Sequence, residues 1–313
     1  MARLLFVFLD GIGLGSSDRA ANPFVDDWPG LRRVAGSDWT MDAWRPDATL
    51  GRVRSVLDAS LGVAGLPQSA TGQTALLTGR NGAALMGRHY GPWPGPTLRA
   101  LLERAGLFHA ARTVGEVALA NAYPRAYLTA LAPERAGTGM GPRRRVRASA
   151  PVVAATAAGS TLADLDAFRV GRAAAGDLDG SALAALLAEP DRAAAVVGAE
   201  RQAAVVARLA SEHAFTFLDV WSADRVGHRQ DRDEARRFVD RLDRFLGTLL
   251  ERLDDDVTVL VTSDHGNLED LNSPRHTHAS VPLLALGPHA ARFADVDSLL
   301  GVAAAATRVL RSA

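Results

Sequence analysis

Six aspartate and histidine side chains follow three separate apolar stretches of this sequence. They are Asp10 after the first stretch, Asp224 and His228 after the second, and Asp264, His265 and His276 after the third. Carboxylate oxygens and imidazole nitrogens are common ligands of divalent metal ions. Asp is also an ordinary turn residue after a strand, but six such groups buried in a core would each need a polar partner. The set therefore predicts a metal site.

The three apolar stretches have the length and composition of buried strands. Residues 4–9, 215–220 and 257–261 are nearly continuous aliphatic and aromatic runs, which is typical of central strands covered on both faces. Residues 231–253 between the last two have the three-and-four apolar spacing of an amphipathic helix, giving a β-α-β unit. Ligands collect beyond the carboxyl ends of strands in such α/β sheets, so the six side chains should meet there.

A short helix with a hydroxyl at its start is predicted over residues 70–78. Pro67 interrupts the chain before it, Gly79 ends it, and Ser69 or Thr71 is placed to cap it. A capping hydroxyl usually has no further role. The same position also suits a nucleophile, because the helix dipole and a neighbouring metal would stabilise the alkoxide.

The glycines after Asp10 resemble a dinucleotide-binding loop only superficially. Their spacing is G-x-G-x-G, whereas the nucleotide fingerprint is G-x-G-x-x-G, and the preceding carboxylate would repel a pyrophosphate. The alternative interpretation makes Asp10 a metal ligand and lets the glycine backbone approach the site closely.

Composition excludes several classes of function. The 313 residues balance 35 basic against 35 acidic side chains, so no overall field favours nucleic acid or an anionic membrane. All the basic residues are arginine, which excludes lysine chemistry, and the absence of cysteine excludes thiolate ligands and nucleophiles. The apolar run before Asp10 is short for a signal peptide, and no apolar run reaches 18 residues. We expect a soluble cytoplasmic protein.

The middle of the chain differs from both ends in its pattern of apolar and Ala-rich stretches. Residues 98–201 are predicted to form an inserted cap domain, and residues 1–97 with 202–313 the metal-binding core. Within the insert we predict strands at 114–122 and 127–131 and helices at 151–158, 162–168, 181–187 and 193–209. Arg144 lies in a Gly/Pro-containing loop with three further arginines. That cluster is either a solvated loop or a contact for substrate phosphate.

Five short motifs together resemble the alkaline phosphatase superfamily, in the branch of cofactor-independent phosphoglycerate mutase and phosphopentomutase. The motifs are LDGIG at 9–13, GLPQSATG at 65–72, DRVGH at 224–228, SDHGN at 263–267 and HTHASVP at 276–282. They cover roughly the first 90 and the last 110 residues and none lies in the insert. The resemblance implies an α/β core with a mostly parallel sheet flanked by helices, plus a smaller inserted α+β cap.

The resemblance also implies two divalent metal ions, Mn or Zn, with specific ligands. One ion would be held by Asp10, Ser69, Asp264 and His265, and the other by Asp224, His228 and His276. It favours Ser69 over Thr71 as the nucleophile and His276 over His278 as the ligand. Thr71, His89, Arg144 and His278 are left as weaker candidates for substrate contacts.

These implications point first to a phosphohydrolase that cleaves a small phosphorylated metabolite through a phosphoserine. Two metals would neutralise the anionic ester and activate the serine hydroxyl. The second possibility is a phosphomutase, nearer to phosphopentomutase in the size of its insert. The chain has neither the lysine nor the G-V-H-S-H segment of the phosphoglycerate mutases. A third is a metal- or nucleotide-binding scaffold without catalysis.

Overall fold

The computed structural model describes residues 2–131, 146–187 and 191–312. Seven strands form one mixed, mostly parallel sheet in the order β2-β3-β9-β8-β1-β7-β4, and β5 and β6 form a separate two-stranded sheet. The strands are β1 Arg3–Leu9, β2 Asp47–Thr49, β3 Arg52–Leu57, β4 Val117–Leu119, β5 Ala122–Tyr123, β6 Ala163–Asp164, β7 Phe215–Val220, β8 Val257–Thr262 and β9 Val281–Leu286. This is an α/β fold.

The three predicted central strands are adjacent and parallel, as expected. β1 lies between β7 and β8, with Leu4 paired to Phe215 on one side and to Thr258 on the other. Alternate residues of β1 point to opposite faces, so Leu4, Phe6 and Phe8 join one hydrophobic core while Leu5, Val7 and Leu9 join another. Since the three strands run in the same direction, their carboxyl ends lie at one edge of the sheet.

Helices cover both faces of the sheet. They are α1 Pro29–Ala35, α2 Ser69–Thr78, α3 Gly82–Met86, α4 Pro96–Arg104, α5 Leu107–Arg112, α6 Arg125–Leu131, α7 Ala150–Ala157, α8 Leu165–Arg169, α9 Ser181–Ala184, α10 Asp191–Ala195, α11 Ala199–Glu212, α12 Ser222–Arg229, α13 Arg232–Arg252 and α14 Leu299–Leu310. Helices α2, α4, α5, α7 and α14 pack on one face. Helices α1, α11 and α13 pack on the other. None of the described helices is both long and apolar enough to span a bilayer.

Several predicted elements in the middle of the chain were wrong. The strand predicted at 127–131 is helix α6, because Pro124 starts a helical turn in which its carbonyl accepts from Tyr127. The strand predicted at 114–122 is reduced to β4 and the first residue of β5. The predicted helix at 162–168 begins as β6, and Asp164 then caps α8 by accepting from Ala167 N. The helix predicted at 193–209 is broken by the extended backbone of Gly198.

Residues 98–201, which were expected to form a cap, are divided between the main core and a separate small substructure. β4 extends the main sheet by pairing with β7, and α4, α5 and α7 pack against the core. The two-stranded sheet and a small separate cluster around Phe168 and Leu183 lie apart from that core. A cap over the whole of residues 98–201 is therefore still a proposal.

Candidate metal centre

The predicted ligands come together at the carboxyl edge of the central strands. Asp10 directly follows β1, and Asp264 and His265 follow β8 after a single serine. Asp224 and His228 are one turn apart on α12, which begins two residues after β7, as predicted from their spacing. His276 reaches the same place from the long loop before β9, because its ring is hydrogen-bonded to the Pro67 carbonyl.

One group of ligand atoms consists of Asp10, Asp264 and His265, with Ser69 beside them. His265 Nε2 lies 3.4 Å from Asp10 Oδ1 and 3.6 Å from Asp264 Oδ2. It is also 3.0 Å from Ser69 Oγ. All four side chains are at least largely shielded from solvent.

A second group consists of Asp224, His228 and His276. Asp224 Oδ2 is 3.2 Å from His228 Nε2, and Asp224 Oδ1 is 3.4 Å from His276 Nε2. The two imidazole Nε2 atoms are 3.3 Å apart. His276 also stacks on His265 with ring centroids 3.8 Å apart, so the two groups adjoin.

Hydrogen bonds around the cluster fix the orientation of its side chains. The Nδ1 atoms of His228 and His276 donate to the carbonyls of Pro274 and Pro67 at 2.7 Å and 2.8 Å. A carbonyl can only accept, so each Nδ1 carries a proton and each Nε2 faces the cluster. This is how metal-binding histidines are commonly held.

Two amide side chains that were not predicted from the sequence as site residues support the carboxylates. Gln73 Nε2 donates to Asp10 Oδ2 at 3.3 Å and to Asp264 Oδ2 at 3.2 Å. Asn267 Nδ2 donates to Asp224 Oδ1 at 2.6 Å. The sequence signal was available, since Gln73 is one helical turn after Ser69 and Asn267 ends the SDHGN motif.

The carboxylates repel one another in a buried site. Burial, with the charges of Asp264 and Asp224, raises the pKa of Asp10 well above its ordinary value. Burial also raises the pKa of Asp264. Burial acts in the same direction on Asp224, but hydrogen bonds with His228 and His276 bring its pKa well below the ordinary range. A cation between these groups would offset their repulsion.

The geometry of the cluster fits divalent metal ions. Four tetrahedral ligands at about 2.0–2.2 Å from an ion are about 3.3–3.6 Å from one another. The separations given above, 3.0–3.6 Å in the first group and 3.2–3.4 Å in the second, are close to these values. Asp10 Oδ1 is moreover buried without a hydrogen-bond donor. Mixed oxygen and nitrogen ligands without sulfur suit both Mn and Zn.

The two candidate nucleophiles occupy different surroundings. Ser69 is the first residue of α2 and its Oγ faces His265. Thr71 lies inside the helix, where its hydroxyl donates to the Gln68 carbonyl at 2.9 Å and accepts from Tyr90 N at 3.3 Å. Neither caps the helix as expected, since Gln68 is the N-cap and makes no side-chain cap bond. The arrangement favours Ser69.

The weaker candidates for substrate contacts lie elsewhere. The ring of His89 is 3.1 Å from the Val63 carbonyl, and His278 is exposed on the loop before β9. Neither His89, His278 nor Thr71 lines the cavity beside the cluster. Arg144 lies outside the described residues.

A cavity of about 480 Å³ opens beside the cluster, lined at one end by Asp10, Ser69 and Asp224. Asp219 of β7 and Arg225 of α12 also line it, and neither was predicted from the sequence as a site residue. Burial and the charge of Asp264 raise the pKa of Asp219 to about 7. The volume is that of a small-molecule site.

Comparisons with known proteins agree with this site. Residues 194–311 match the family model described as "Metalloenzyme superfamily". The chain is 31% identical over 108 residues to phosphopentomutase of Mycoplasmopsis pulmonis and 32% identical over 108 residues to 2,3-bisphosphoglycerate-independent phosphoglycerate mutase 1 of Methanothermobacter thermautotrophicus. Each match covers 34% of this chain, and 27% and 25% of the respective relatives.

Solved structures show the same fold at lower identity. Alkaline phosphatase from the Antarctic bacterium TAB5 superposes with a TM-score of 0.56 at 14% identity, covering 100% of both chains. Leishmania mexicana phosphoglycerate mutase gives 0.55 at 11% identity, covering 99% of this chain and 95% of the other. Residues 194–311 thus match the metalloenzyme (alkaline phosphatase) superfamily, and the chain is related in sequence to phosphopentomutase and cofactor-independent phosphoglycerate mutase.

Proposed function

We propose that the protein is a metal-dependent phosphoryl-transfer enzyme that acts on a small phosphate ester through a phosphoserine at Ser69. The observation that carries this proposal is the position of the Ser69 hydroxyl. It stands at the N-terminus of α2, 3.0 Å from His265 Nε2, and lines the cavity beside two groups of metal-ligand side chains. Two Mn or Zn ions in these groups would polarise the ester and make the serine alkoxide accessible at neutral pH.

The residues of the chain have distinct roles in the proposed reaction. Ser69 Oγ loses its proton and attacks phosphorus, the phosphorus–oxygen bond to the substrate breaks, and the leaving alkoxide takes up one proton, so that serine and ester become phosphoserine and free alcohol with no net change in protons. The positive end of the α2 dipole stabilises the serine oxygen as its charge develops. Gln73 holds Asp10 and Asp264 in place by donating to both. Arg225, at the cavity, offers a guanidinium for the phosphate oxygens.

The phosphoryl group then passes from Ser69 to an acceptor hydroxyl. Transfer to a second hydroxyl of the substrate, as in a phosphomutase, has more support than transfer to water. The curated relatives that match are named phosphopentomutase and phosphoglycerate mutase, whereas the likeness to alkaline phosphatase is one of fold. This reverses the order expected from the sequence, and hydrolysis becomes the second candidate.

The small two-stranded sheet and the Phe168 cluster are the part of residues 98–201 that can still form a cap. We propose that this part of residues 98–201 covers the cavity, since Tyr123, Tyr127 and Leu183 line it. A small phosphorylated metabolite would then bind between the core and this segment.

Trapping the phosphoenzyme tests the proposal. The Mn- or Zn-loaded protein is mixed with pentose phosphates or phosphoglycerates, quenched in acid, digested and examined by mass spectrometry. We expect one phosphoryl group on the peptide that contains Ser69, and none in Ser69→Ala. Thr71→Ala is the matched control and should still form the phosphoenzyme. Free phosphate without an isomerised product would favour hydrolysis, and phosphorylation of Thr71 would refute the choice of nucleophile. A scaffold without catalysis would bind metal but form no phosphoenzyme with any ester.

A further inference from the structure

The cavity beside the metal centre is lined mainly by apolar atoms. From Ser69 and Asp10 it extends to four aromatic side chains, Trp93, Tyr123, Tyr127 and Trp221, here called the aromatic wall. A hydroxyl-rich substrate would need polar partners along its length, because burying unpaired hydroxyls is unfavourable. The wall offers mainly aromatic carbon surface instead.

Three of the four side chains of the aromatic wall are held in place by contacts with their neighbours. Tyr123 and Tyr127 are stacked with ring centroids 5.2 Å apart. The guanidinium of Arg225 lies 5.3 Å from the centre of the Trp221 ring. Gly176 packs so closely on the Trp221 indole that no Cβ would fit there. Flat surfaces fixed in this way are suited to stacking with another flat group.

Three exposed apolar side chains meet at the cavity. Among the described residues, nine large apolar side chains are exposed, and Trp93, Leu186 and Trp221 all line this one cavity. Scattered exposed apolar residues are ordinary, but a cluster at the mouth of a cavity indicates a binding surface. This clustering therefore favours a cavity that binds an apolar group.

Two polar residues that line the cavity, Asp177 and Asp219, differ in their surroundings. Asp177 accepts from the Gly180 and Ala182 amides and from the Ser181 hydroxyl. Its carboxylate therefore stabilises the turn that begins α9. Asp219 Oδ1 is buried without a partner. Burial raises the pKa of Tyr123 well above its ordinary value and that of Tyr127 to about 12, so both remain neutral phenols.

We infer that the substrate carries a planar aromatic group, which lies against the aromatic wall while its phosphoryl group lies at Ser69. This inference rests on the proposed function, because it identifies the substrate class of the same site. The unpartnered Asp219 oxygen favours an aromatic group that bears an N–H or O–H donor. A pentose phosphate has no aromatic ring for this wall to bind.

Three esters of primary alcohols test the inference without changing the type of leaving group. They are benzyl phosphate, ethyl phosphate and ribose 5-phosphate. Release of the alcohol by the metal-loaded protein measures the attack of Ser69, whichever acceptor follows. We expect kcat/KM for benzyl phosphate to exceed that for ethyl phosphate by about tenfold or more, the scale of one good aromatic contact with its buried area. Ribose 5-phosphate should not exceed benzyl phosphate.

Substitutions in the wall locate the effect. Trp221→Leu and Trp93→Leu should reduce the benzyl-to-ethyl ratio of kcat/KM by about threefold to tenfold, and Trp221→Phe should restore part of it. The matched control is Trp28→Leu, because Trp28 lies outside the cavity with its indole bonded to the Pro23 carbonyl. An unchanged ratio in both wall variants would overturn the inference, as would a preference for ribose 5-phosphate.

Binding separates failure of the inference from failure of the proposed function. Benzylphosphonate and ethylphosphonate cannot transfer the phosphoryl group, and their binding is followed by quenching of tryptophan fluorescence. If no ester released its alcohol, the proposed function would fail. The inference would still be supported by tighter binding of benzylphosphonate than of ethylphosphonate, and overturned by equal or weaker binding.

Discussion

Replacing Asp219 by asparagine should stabilise the metal-free protein, and more so at high pH. Asp219 is only 4% exposed as a residue, and one of its carboxylate oxygens has no hydrogen-bond partner. Burial and the nearby Asp264 raise its pKa from 3.8 to about 7. The folded chain therefore binds this proton more tightly than the unfolded chain does. The resulting loss of stability is absent below about pH 4 and complete above about pH 7.

The size of the effect follows from the difference between the two pKa values. At about 1.4 kcal/mol for each pH unit, the charge of Asp219 costs about 4 kcal/mol at pH 8 and less than 2 kcal/mol at pH 5. Asparagine keeps the shape and removes the charge. Asp219→Asn should thus gain about 2–3 kcal/mol more over the wild type at pH 8 than at pH 5.

Urea unfolding in the presence of a chelator measures this difference. Wild type and Asp219→Asn are unfolded at pH 5 and pH 8, with the exposed Asp255→Asn as the matched control. The control should differ little from wild type at either pH. Equal stabilisation at both pH values, or a loss of stability at pH 8, would refute the assignment of Asp219 as a buried, uncompensated carboxylate.

Three further substitutions test separate parts of the site. Ser69→Ala should keep bound metal while abolishing the phosphoenzyme, and loss of metal would make Ser69 chiefly a ligand. Asn267→Leu removes the donor to Asp224 and should weaken one metal site about 10–100-fold in a competition titration, whereas unchanged affinity would contradict its supporting role. Gly176→Ala should displace the Trp221 indole and lower the ratio of kcat/KM for benzyl phosphate to that for ethyl phosphate. An unchanged ratio would show that Gly176 does not position the indole for substrate.

The core of the fold followed from the sequence because its signals are local. β1, β7 and β8 are continuous apolar runs, and α13 has an unbroken amphipathic period. The predicted bounds differ from the observed ones by only a residue or so at each end. The predicted ligands meet because parallel strands bring their carboxyl ends to one edge.

The elements and site residues that were not predicted from the sequence depend on contacts between residues far apart in the chain. Tyr127 occurs in an apolar run that suits a strand, but Pro124 starts a helix there, and the ring stacks on Tyr123. Asp219 looked like one polar residue in a buried strand, and only the fold places its carboxyl beside Asp264 and the cavity. The aromatic wall joins residues from three parts of the chain, which no local pattern relates.

Metal content is the most direct test of the two-metal site. Protein purified without chelator, then saturated with Mn or Zn and freed of excess ion, is analysed by inductively coupled plasma mass spectrometry. We expect two ions per chain in the wild type and one in the double variant Asp224→Asn, His228→Ala, which disables only the second group of ligands. Well under one ion per chain in the wild type, or two in the double variant, would contradict the account.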